Sequence, residues 1–229
     1  MIQNKPEQSL VEAIISKGTL KQEVYQATLK TFNAFRSEGE SLIVKNRPAI
    51  EMAKYPLLFA FKDRGVFEFR IKFGSDILIF FMHSNIFDIP RDHEVMKTGY
   101  IREDKSRSYC GIIHIFNFLA DSFKYNRNND IGYCIGRIFI NRERHYFIEG
   151  KREIGLLYNN FPTSIIDKKA IREILESSIR YTLNFDLLTP PFDNIKEVAV
   201  SEMQNTLDSF YISTGKRLGF RFQADVQEE

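Results

Sequence analysis

RIFINRERHYFIEGKREIGLLY, which spans Arg137–Tyr158, is the stretch of sequence that decides the fold class. It contains three apolar runs of strand length, Ile138–Ile140, His145–Ile148 and Ile154–Tyr158. Short polar groups separate these runs, which is typical of consecutive antiparallel strands joined by tight turns. The stretch therefore predicts three neighbouring strands of one antiparallel sheet.

A second block with the same pattern lies upstream, where turn-forming residues separate three further apolar runs. We predict strands over Leu57–Lys62, Val66–Phe73 and Ile77–His83. The middle run alternates apolar with charged residues, which predicts one buried and one solvated sheet face. The third run does not alternate, so we expect Ile77–Met82 in the centre of the sheet, covered on both faces.

Two different patterns fill the region between these blocks. Arg91–Ser108 is rich in charged side chains and poor in apolar ones, which predicts an exposed loop that is either functional or mobile. Tyr109–Leu119 is apolar, and its periodicity leaves both a strand and a buried helix open. Its β-branched isoleucines favour a strand in the first half.

Helical patterns precede the strand-rich blocks. We predict a short first helix that ends at Gly18, and a second helix that begins at Thr19 and ends at the polar group 37–40. Pro48 argues against one continuous helix through the residues that follow. The apolar stripes of these helices are wider than a single face, which predicts contacts on two sides.

Helical patterns also follow the blocks. Ser164 or Asp167 is expected to cap a helix with an apolar stripe, and the pair Pro190-Pro191 is expected to end it. Asp193 then fits the N-cap of a final helix that stops at Gly215.

Together these patterns predict an α+β protein. We expect a single antiparallel sheet of about six to eight strands, with a mixed sheet left open, flanked by N-terminal and C-terminal helices. A chain of 229 residues with 43% hydrophobic content can bury one core, so we expect a single domain over residues 1–229. Within it we predict a helical segment over residues 1–53, a sheet core over residues 57–160 and C-terminal helices over residues 164–213.

Charge and cysteine content limit the function classes. The chain has 32 basic and 30 acidic residues, and a formal charge of +2 is too small for the broad positive field of an unspecific nucleic-acid binder. The sequence still allows a local basic patch. Cys110 and Cys134 have neither a CxxC nor a metal-ligand spacing, which predicts two buried free thiols.

The sequence gives no indication of a membrane protein. The start, MIQNKPEQ, lacks the charged and apolar regions of a signal peptide. The apolar run Ile77–Met82 is far shorter than the roughly 20 residues that span a bilayer. We therefore expect a cytoplasmic protein without membrane contacts.

A small-anion site is the first candidate for chemistry. Guanidinium groups bind phosphate or carboxylate through two parallel hydrogen bonds, and tyrosine rings stack on planar ligands. The predicted turns carry enough basic side chains for such a pocket. Nearby acidic residues offer ordinary cross-strand ion pairs as the alternative. The candidate anion-binding residues are Lys124, Arg127, Arg137, Arg142, Arg144, Lys151, Arg152, Tyr125 and Tyr146.

A metal site is the second candidate. His83, Asp88 and His93 provide the ligand types of a site with two histidines and one carboxylate. Their spacing matches no known metal motif, so chance proximity near a strand end is the alternative.

A nuclease-like site is the third candidate. Asp63, Glu68 and Lys72 combine carboxylates with a positive group, as metal-dependent phosphodiester cleavage requires. The same pattern also describes the solvated side of any amphipathic strand. No nucleophile elbow, dinucleotide fingerprint or phosphate-binding loop is present in the sequence.

The leading functional hypothesis is a non-enzymatic binding or interaction module that recognises a small anionic ligand or a protein partner. No cofactor is implied, and nucleic acid is not an expected partner. The wide apolar helices also predict a homo-oligomer. Two alternatives stay open, a metal-dependent phosphoester hydrolase or nuclease, and a purely structural interaction protein.

Overall fold

The computed structural model describes residues 9–55, 57–128, 130–150, 160–185, 192–194, 197 and 199–201. The α-helices are α1 (Leu10–Glu51), α2 (Gly99–Glu103), α3 (Ala120–Lys124) and α4 (Lys168–Leu183). The strands are β1 (Phe59–Asp63), β2 (Glu68–Phe73), β3 (Asp76–Met82), β4 (Phe87–Asp88), β5 (Tyr109–Leu119), β6 (Tyr133–Ile140) and β7 (Tyr146–Gly150). Short 3-10 helices occupy Glu94–Lys97, Lys105–Ser108 and Phe192–Asn194.

The strands form one antiparallel sheet in the order β1-β2-β3-β5-β6-β7, and β4 pairs with β5 beyond the end of β3. The seven described strands and their antiparallel pairing confirm the predicted α+β class. The segment Tyr109–Leu119, left open between helix and strand, is a strand throughout. The predicted strand Ile154–Tyr158 lies outside the described residues, and the predicted domain limits stay a prediction.

The position of β3 confirms the expectation of a central strand. It pairs with β2 on one side and β5 on the other, and Phe81 is its one exposed residue, at 37%. On β2 the odd-numbered residues Phe69, Ile71 and Phe73 are buried and their neighbours are half-buried. This is the alternation that the sequence predicted.

The predicted break of the first helix at Gly18, the break at residues 37–40 and the effect of Pro48 are wrong, because α1 is one helix of 42 residues. A glycine inside a helix costs only about 1 kcal/mol, which packing elsewhere can offset. Gly39 belongs to the buried face, where a Cβ would lie 3.4 Å from the Phe61 ring. Pro48 lies in the exposed last turn, where a carbonyl that lacks its helical partner can be hydrated.

One face of the sheet, which we call the helix-covered face, packs against α1 and α4. Phe32 and Phe35 of α1 are fully buried, and their ring centroids lie 5.4 Å from Phe69 and 6.0 Å from Phe80. The main hydrophobic core is therefore built from helix and strand side chains that meet at this face. Other members include Leu78, Ile113, Ile115, Ile138, Ile148, Ile171, Ile174 and Leu175.

The opposite face, which we call the loop-covered face, is partly covered by residues 89–108. The buried residues Ile89, Val95 and Ile101 pack there against the strand side chains Cys110, Ile112, Phe139 and Phe147. The predicted exposed loop Arg91–Ser108 is therefore wrong: the segment contains short helices. The apolar side chains of the segment attach it by packing in one buried cluster with those of the strands.

The two thiols differ from the prediction. Cys110 is fully buried, and burial raises the pKa of its thiol. Cys134 is exposed, so the expectation of a second buried thiol is wrong. The packing contacts of β6 near Cys134 come from side chains that point to the opposite face of the sheet.

The start of α4 agrees with the sequence. Asp167 is its N-cap, and its carboxylate accepts a hydrogen bond of 2.7 Å from the backbone N–H of Ala170. Ser164 is not the cap. The predicted final helix after Asp193 lies almost entirely outside the described residues. No helix that the structure describes has both the length and the apolar character needed to cross a membrane.

Candidate functional site

The structure describes seven of the nine predicted anion-binding residues, and it does not bring all seven together. Lys151 and Arg152 lie outside the described residues. Lys124 lies on the surface with its Nζ 4.7 Å from the centroid of the Tyr125 ring. Tyr146 is buried in the main core and is not available as a stacking surface.

Arg127 is committed to the loop that follows α3. Its Nε lies 3.0 Å from the Asp130 carboxylate, and both side chains are almost fully buried. Ser122 also donates a hydrogen bond of 2.6 Å to Asp130. Because a buried carboxylate needs these partners, we assign Arg127 to loop structure.

Arg137 lies on the loop-covered face of β6 and forms an ion pair with Glu149 of β7. The other carboxylate oxygen of Glu149 lies 2.9 Å from Nε2 of His93. A predicted anion ligand and a predicted metal ligand therefore share one carboxylate.

The predicted metal ligands have separate partners. Nδ1 of His83 accepts a hydrogen bond from the backbone N–H of Asn85, and Asp88 accepts one from the Ser108 hydroxyl. Within the described ranges, no group of three His, Cys, Asp or Glu side chains lies close enough to hold a metal ion. The structure therefore does not gather His83, Asp88 and His93.

The two carboxylates among the nuclease candidates each have an arginine partner. Asp63 lies 3.5 Å from Arg36 of α1, and Glu68 lies 2.5 Å from Arg70 on its own strand. Glu68 and Lys72 share the solvated side of β2, as the strand period requires. This arrangement is the ordinary charged surface of an amphipathic strand.

Arg142 and Arg144 are the two candidates that line one groove. The groove has a volume of about 990 Å³ and lies between α1 and the turn that joins β6 to β7. Lys30 of α1 adds a third cation. Its other polar lining residues are Thr19, Gln22, Glu23, Gln26 and Glu143. Three cations and two carboxylates give this groove a small positive charge.

The turn between β6 and β7 is held by Asn141. Its Oδ1 accepts hydrogen bonds of 3.0 Å from the backbone N–H groups of Glu143 and His145. Arg144 has a φ of 65°, in the left-handed region that glycine and asparagine favour. An arginine at this position carries backbone strain that a glycine would avoid.

The two arginines differ in how fully they are paired. Nη2 of Arg142 donates a hydrogen bond of 2.8 Å to Asp104, and Nη1 lies 3.5 Å from Glu23 of α1. Nη2 of Arg144 donates to the carbonyl of Ile166 at 2.5 Å. Nε of Arg144 is buried and has no hydrogen-bond partner in the part of the chain that the structure describes.

A network behind the turn attaches it to residues 100–107. The Tyr100 hydroxyl donates to Glu143 and accepts from Nδ2 of Asn141, each at 2.8 Å. Arg107 donates to the other oxygen of Glu143 at 3.1 Å, and its guanidinium lies 4.3 Å from the centroid of the Tyr100 ring. The Tyr100 ring also stacks on His145. The hydrogen bonds from Tyr100 and Arg107 therefore engage both carboxylate oxygens of Glu143.

The charges in this network are fixed near neutral pH. Burial raises the pKa of Tyr100, so its hydroxyl stays protonated and donates. Burial also acts to raise the pKa of Glu143, but the hydrogen bonds from Tyr100 and Arg107 outweigh it and lower that pKa. The side chain and backbone N–H of Ser106 lower the pKa of Asp104. Both carboxylates are therefore anions that orient arginines.

Comparisons with family models, curated proteins and solved structures found no match to this chain. A functional proposal for this chain therefore depends on the geometry of the groove.

Several groove residues were not predicted. Gln22, Glu23 and Lys30 lie on α1, far from the turn in sequence, and their polar pattern is that of any exposed helix face. Tyr100 and Arg107 lie in the segment that was expected to be a loop. The unusual length of that segment was the signal that could have identified them.

A second groove, of about 610 Å³, lies between the C-terminal ends of α1 and α4 and strand β1. Its lining includes the apolar residues Leu57, Leu58 and Leu183, and none of the predicted anion-binding residues. The groove at the β6–β7 turn is therefore the candidate functional site.

Proposed function

We propose that the protein is a non-enzymatic binding module that holds a small anionic ligand, with a carboxylate or phosphate group, in the groove beside Arg142 and Arg144. The observation that supports this function most is Arg144. A charged side chain occupies a left-handed turn position and lines the groove of about 990 Å³, and its buried Nε has no hydrogen-bond partner among the described residues.

Arg144 has donor capacity beyond its structural bond. Its Nη2 binds the carbonyl of Ile166, whereas a guanidinium carries five N–H donors. A carboxylate or phosphate accepts two parallel bonds from such a group and gains from its charge. We expect an anion in the groove to accept hydrogen bonds from the remaining guanidinium donors of Arg144.

Arg142 is prepared for the same ligand by its neighbours. Asp104 lies closer to it than Glu23 does, at 2.8 Å against 3.5 Å, and the Glu23 side chain is half exposed. We expect the ligand to displace Glu23, which can turn into solvent, while Asp104 continues to orient the guanidinium. Glu23 would then act as a weak internal competitor.

Binding of phosphate, citrate and nucleoside monophosphates, measured by calorimetry at low and high salt, tests the proposal. We expect millimolar or tighter binding that weakens with salt. Arg142→Gln and Arg144→Asn should each weaken it at least tenfold, and Asn tolerates the left-handed turn. Glu23→Gln should strengthen it, because the competitor is neutralised.

Arg102→Gln is the matched control, since Arg102 is exposed and does not line the groove. It should bind the anion as the wild type does. Failure of the wild type to bind any of these anions would contradict the proposal and favour a purely structural interaction protein. Equal loss in the Arg102 variant would indicate a general charge effect in place of a site.

The hydrolase alternative has no observation in its favour, because the described residues contain no cluster that could hold a metal. The cytoplasmic location and the lack of a nucleic-acid partner stay predictions from the sequence.

A further inference from the structure

The first turns of α1 are exposed in the part of the chain that the structure describes. The helix begins at Leu10, but its first buried residue is Val24. We call the surface formed by Leu10, Val11, Ile14, Ile15 and Gly18 the amino-terminal stripe. Its four apolar side chains are 61 to 76% exposed. A spacing of one, three and four residues places all five positions on one side of the helix.

The helix is fixed at its beginning. The Ser9 hydroxyl accepts a hydrogen bond from the backbone N–H of Glu12, and the Glu12 carboxylate accepts one from the backbone N–H of Ser9. Further along, Nζ of Lys17 lies 3.8 Å from the centroid of the Tyr109 ring and contacts its hydroxyl. The stripe is therefore presented by a capped helix that is attached to β5.

Gly18 lines the candidate groove, but packing within one copy does not require a glycine there. No atom of the described residues lies within 4 Å of the position that a Cβ would occupy, whereas a Cβ at Gly39 would contact two phenylalanine rings. Glycine weakens a helix relative to alanine, and it allows another backbone to approach closely. Gly18 follows Ile14 by one turn, so a close approach there would bring the stripe into contact with the approaching helix.

We propose that the amino-terminal stripe packs against the same stripe of a second copy, with the two helices crossing near Gly18. A two-fold dimer needs no other complementary surface, because each copy supplies the same patch. The exposed surface of the four apolar residues in two copies comes to roughly 1,000 Å², which is the lower limit for a specific interface. We expect an interface of this size to give a reversible dimer.

Sedimentation equilibrium of the full chain between about 1 and several hundred µM measures this association. We expect a monomer–dimer equilibrium. Ile14→Asp should raise the dissociation constant at least tenfold and leave the thermal midpoint of the monomer unchanged, because Ile14 is exposed. Val44→Asp is the matched control, since Val44 is 64% exposed at the other end of the same helix. It should leave the dissociation constant unchanged.

Gly18 provides a second and independent measurement. Gly18→Ala should stabilise the monomer, because the added methyl meets no atom, and Gly18→Leu should weaken the dimer by blocking the close approach. A wild type that stays monomeric at the highest concentration, or a dimer that is unaffected by Ile14→Asp, overturns the proposal. A dimer unaffected by Gly18→Leu overturns the crossing near Gly18. The Ile14→Asp result is independent of anion binding, because Ile14 does not line the groove, whereas Gly18 does.

Discussion

The two faces of the sheet are covered in different ways. On the helix-covered face, α1 and α4 pack apolar side chains into a continuous core around Phe69 and Phe80. On the loop-covered face, a charged segment with short helices is attached by a few apolar side chains and by the hydrogen bonds of Asn141 and Glu143. The cover of the helix-covered face is hydrophobic and periodic, whereas the cover of the loop-covered face depends on particular polar contacts.

This difference indicates which contacts can be lost without unfolding the whole molecule. Apolar packing is cooperative, so a defect on the helix-covered face should lower the stability of the entire sheet. The polar contacts on the other face connect one segment to one turn, so their loss should free that segment locally. The candidate groove adjoins the second type of cover, at Arg142, Glu143 and Arg144.

The largest expected effect comes from comparing two neighbouring residues that lie on opposite faces of the sheet. Phe80 is fully buried on the helix-covered face, whereas Phe81 points to the other face and is 37% exposed. Phe80→Ala should lower the free energy of unfolding by about 3–5 kcal/mol, because it leaves a cavity among packed rings. Phe81→Ala should cost about 1 kcal/mol. Guanidinium unfolding of both variants measures the difference, and equal costs would contradict the distinction between the faces.

The helix-covered face was largely predictable from the sequence. The alternation of β2 and the unbroken apolar run of β3 predicted their burial, because strand periodicity records which side meets the core. The continuity of α1 was not predictable, since Gly18 and Pro48 are local breakers whose cost is small beside the burial of Phe32 and Phe35.

The site was predictable only in part. Arg142 and Arg144 were among the candidates because basic residues in a tight turn are apparent in sequence. Their separation from Arg127 and Arg137 was not apparent, because it depends on which carboxylate each guanidinium meets in three dimensions. The contribution of Lys30 required the position of α1 across the sheet, which no local pattern records.

A smaller effect tests the polar attachment. Asn141 is fully buried, and Asn141→Ala removes the acceptor of two backbone N–H groups of the turn and one donor to the Tyr100 hydroxyl. We expect a loss of about 2 kcal/mol in the free energy of unfolding. Hydrogen exchange should also become faster in residues 99–108 than in the sheet core. Asn33→Ala, at an exposed position of α1, should change stability by less than about 0.5 kcal/mol.

A uniform increase of exchange in the Asn141 variant, across both faces, would contradict the view that the loop-covered face opens locally. Faster exchange confined to residues 99–108 would support it and would sharpen the comparison, because the free energy of that opening can be measured separately from global unfolding.

The smallest expected effect concerns the pH dependence of the same attachment. The pKa of Glu143 is lower in the folded protein than its ordinary value of about 4.3. Its contribution to stability is therefore complete above that value, and it is lost as pH falls through the lower, folded pKa. Glu143→Gln should cost about 1 kcal/mol at pH 7, because a neutral amide binds Arg107 less strongly than a carboxylate.

The difference between wild type and Glu143→Gln should shrink as pH falls below about 4, because protonated Glu143 then resembles the amide. The pKa of Asp104 is lowered as well, but Asp104 is present in both proteins, so its titration cancels in the comparison. Urea unfolding at several pH values measures the two curves. A difference that stays constant down to pH 3 would mean that the charge of Glu143 does not hold residues 100–107 in place, and that the apolar residues Val95 and Ile101 attach this cover on their own.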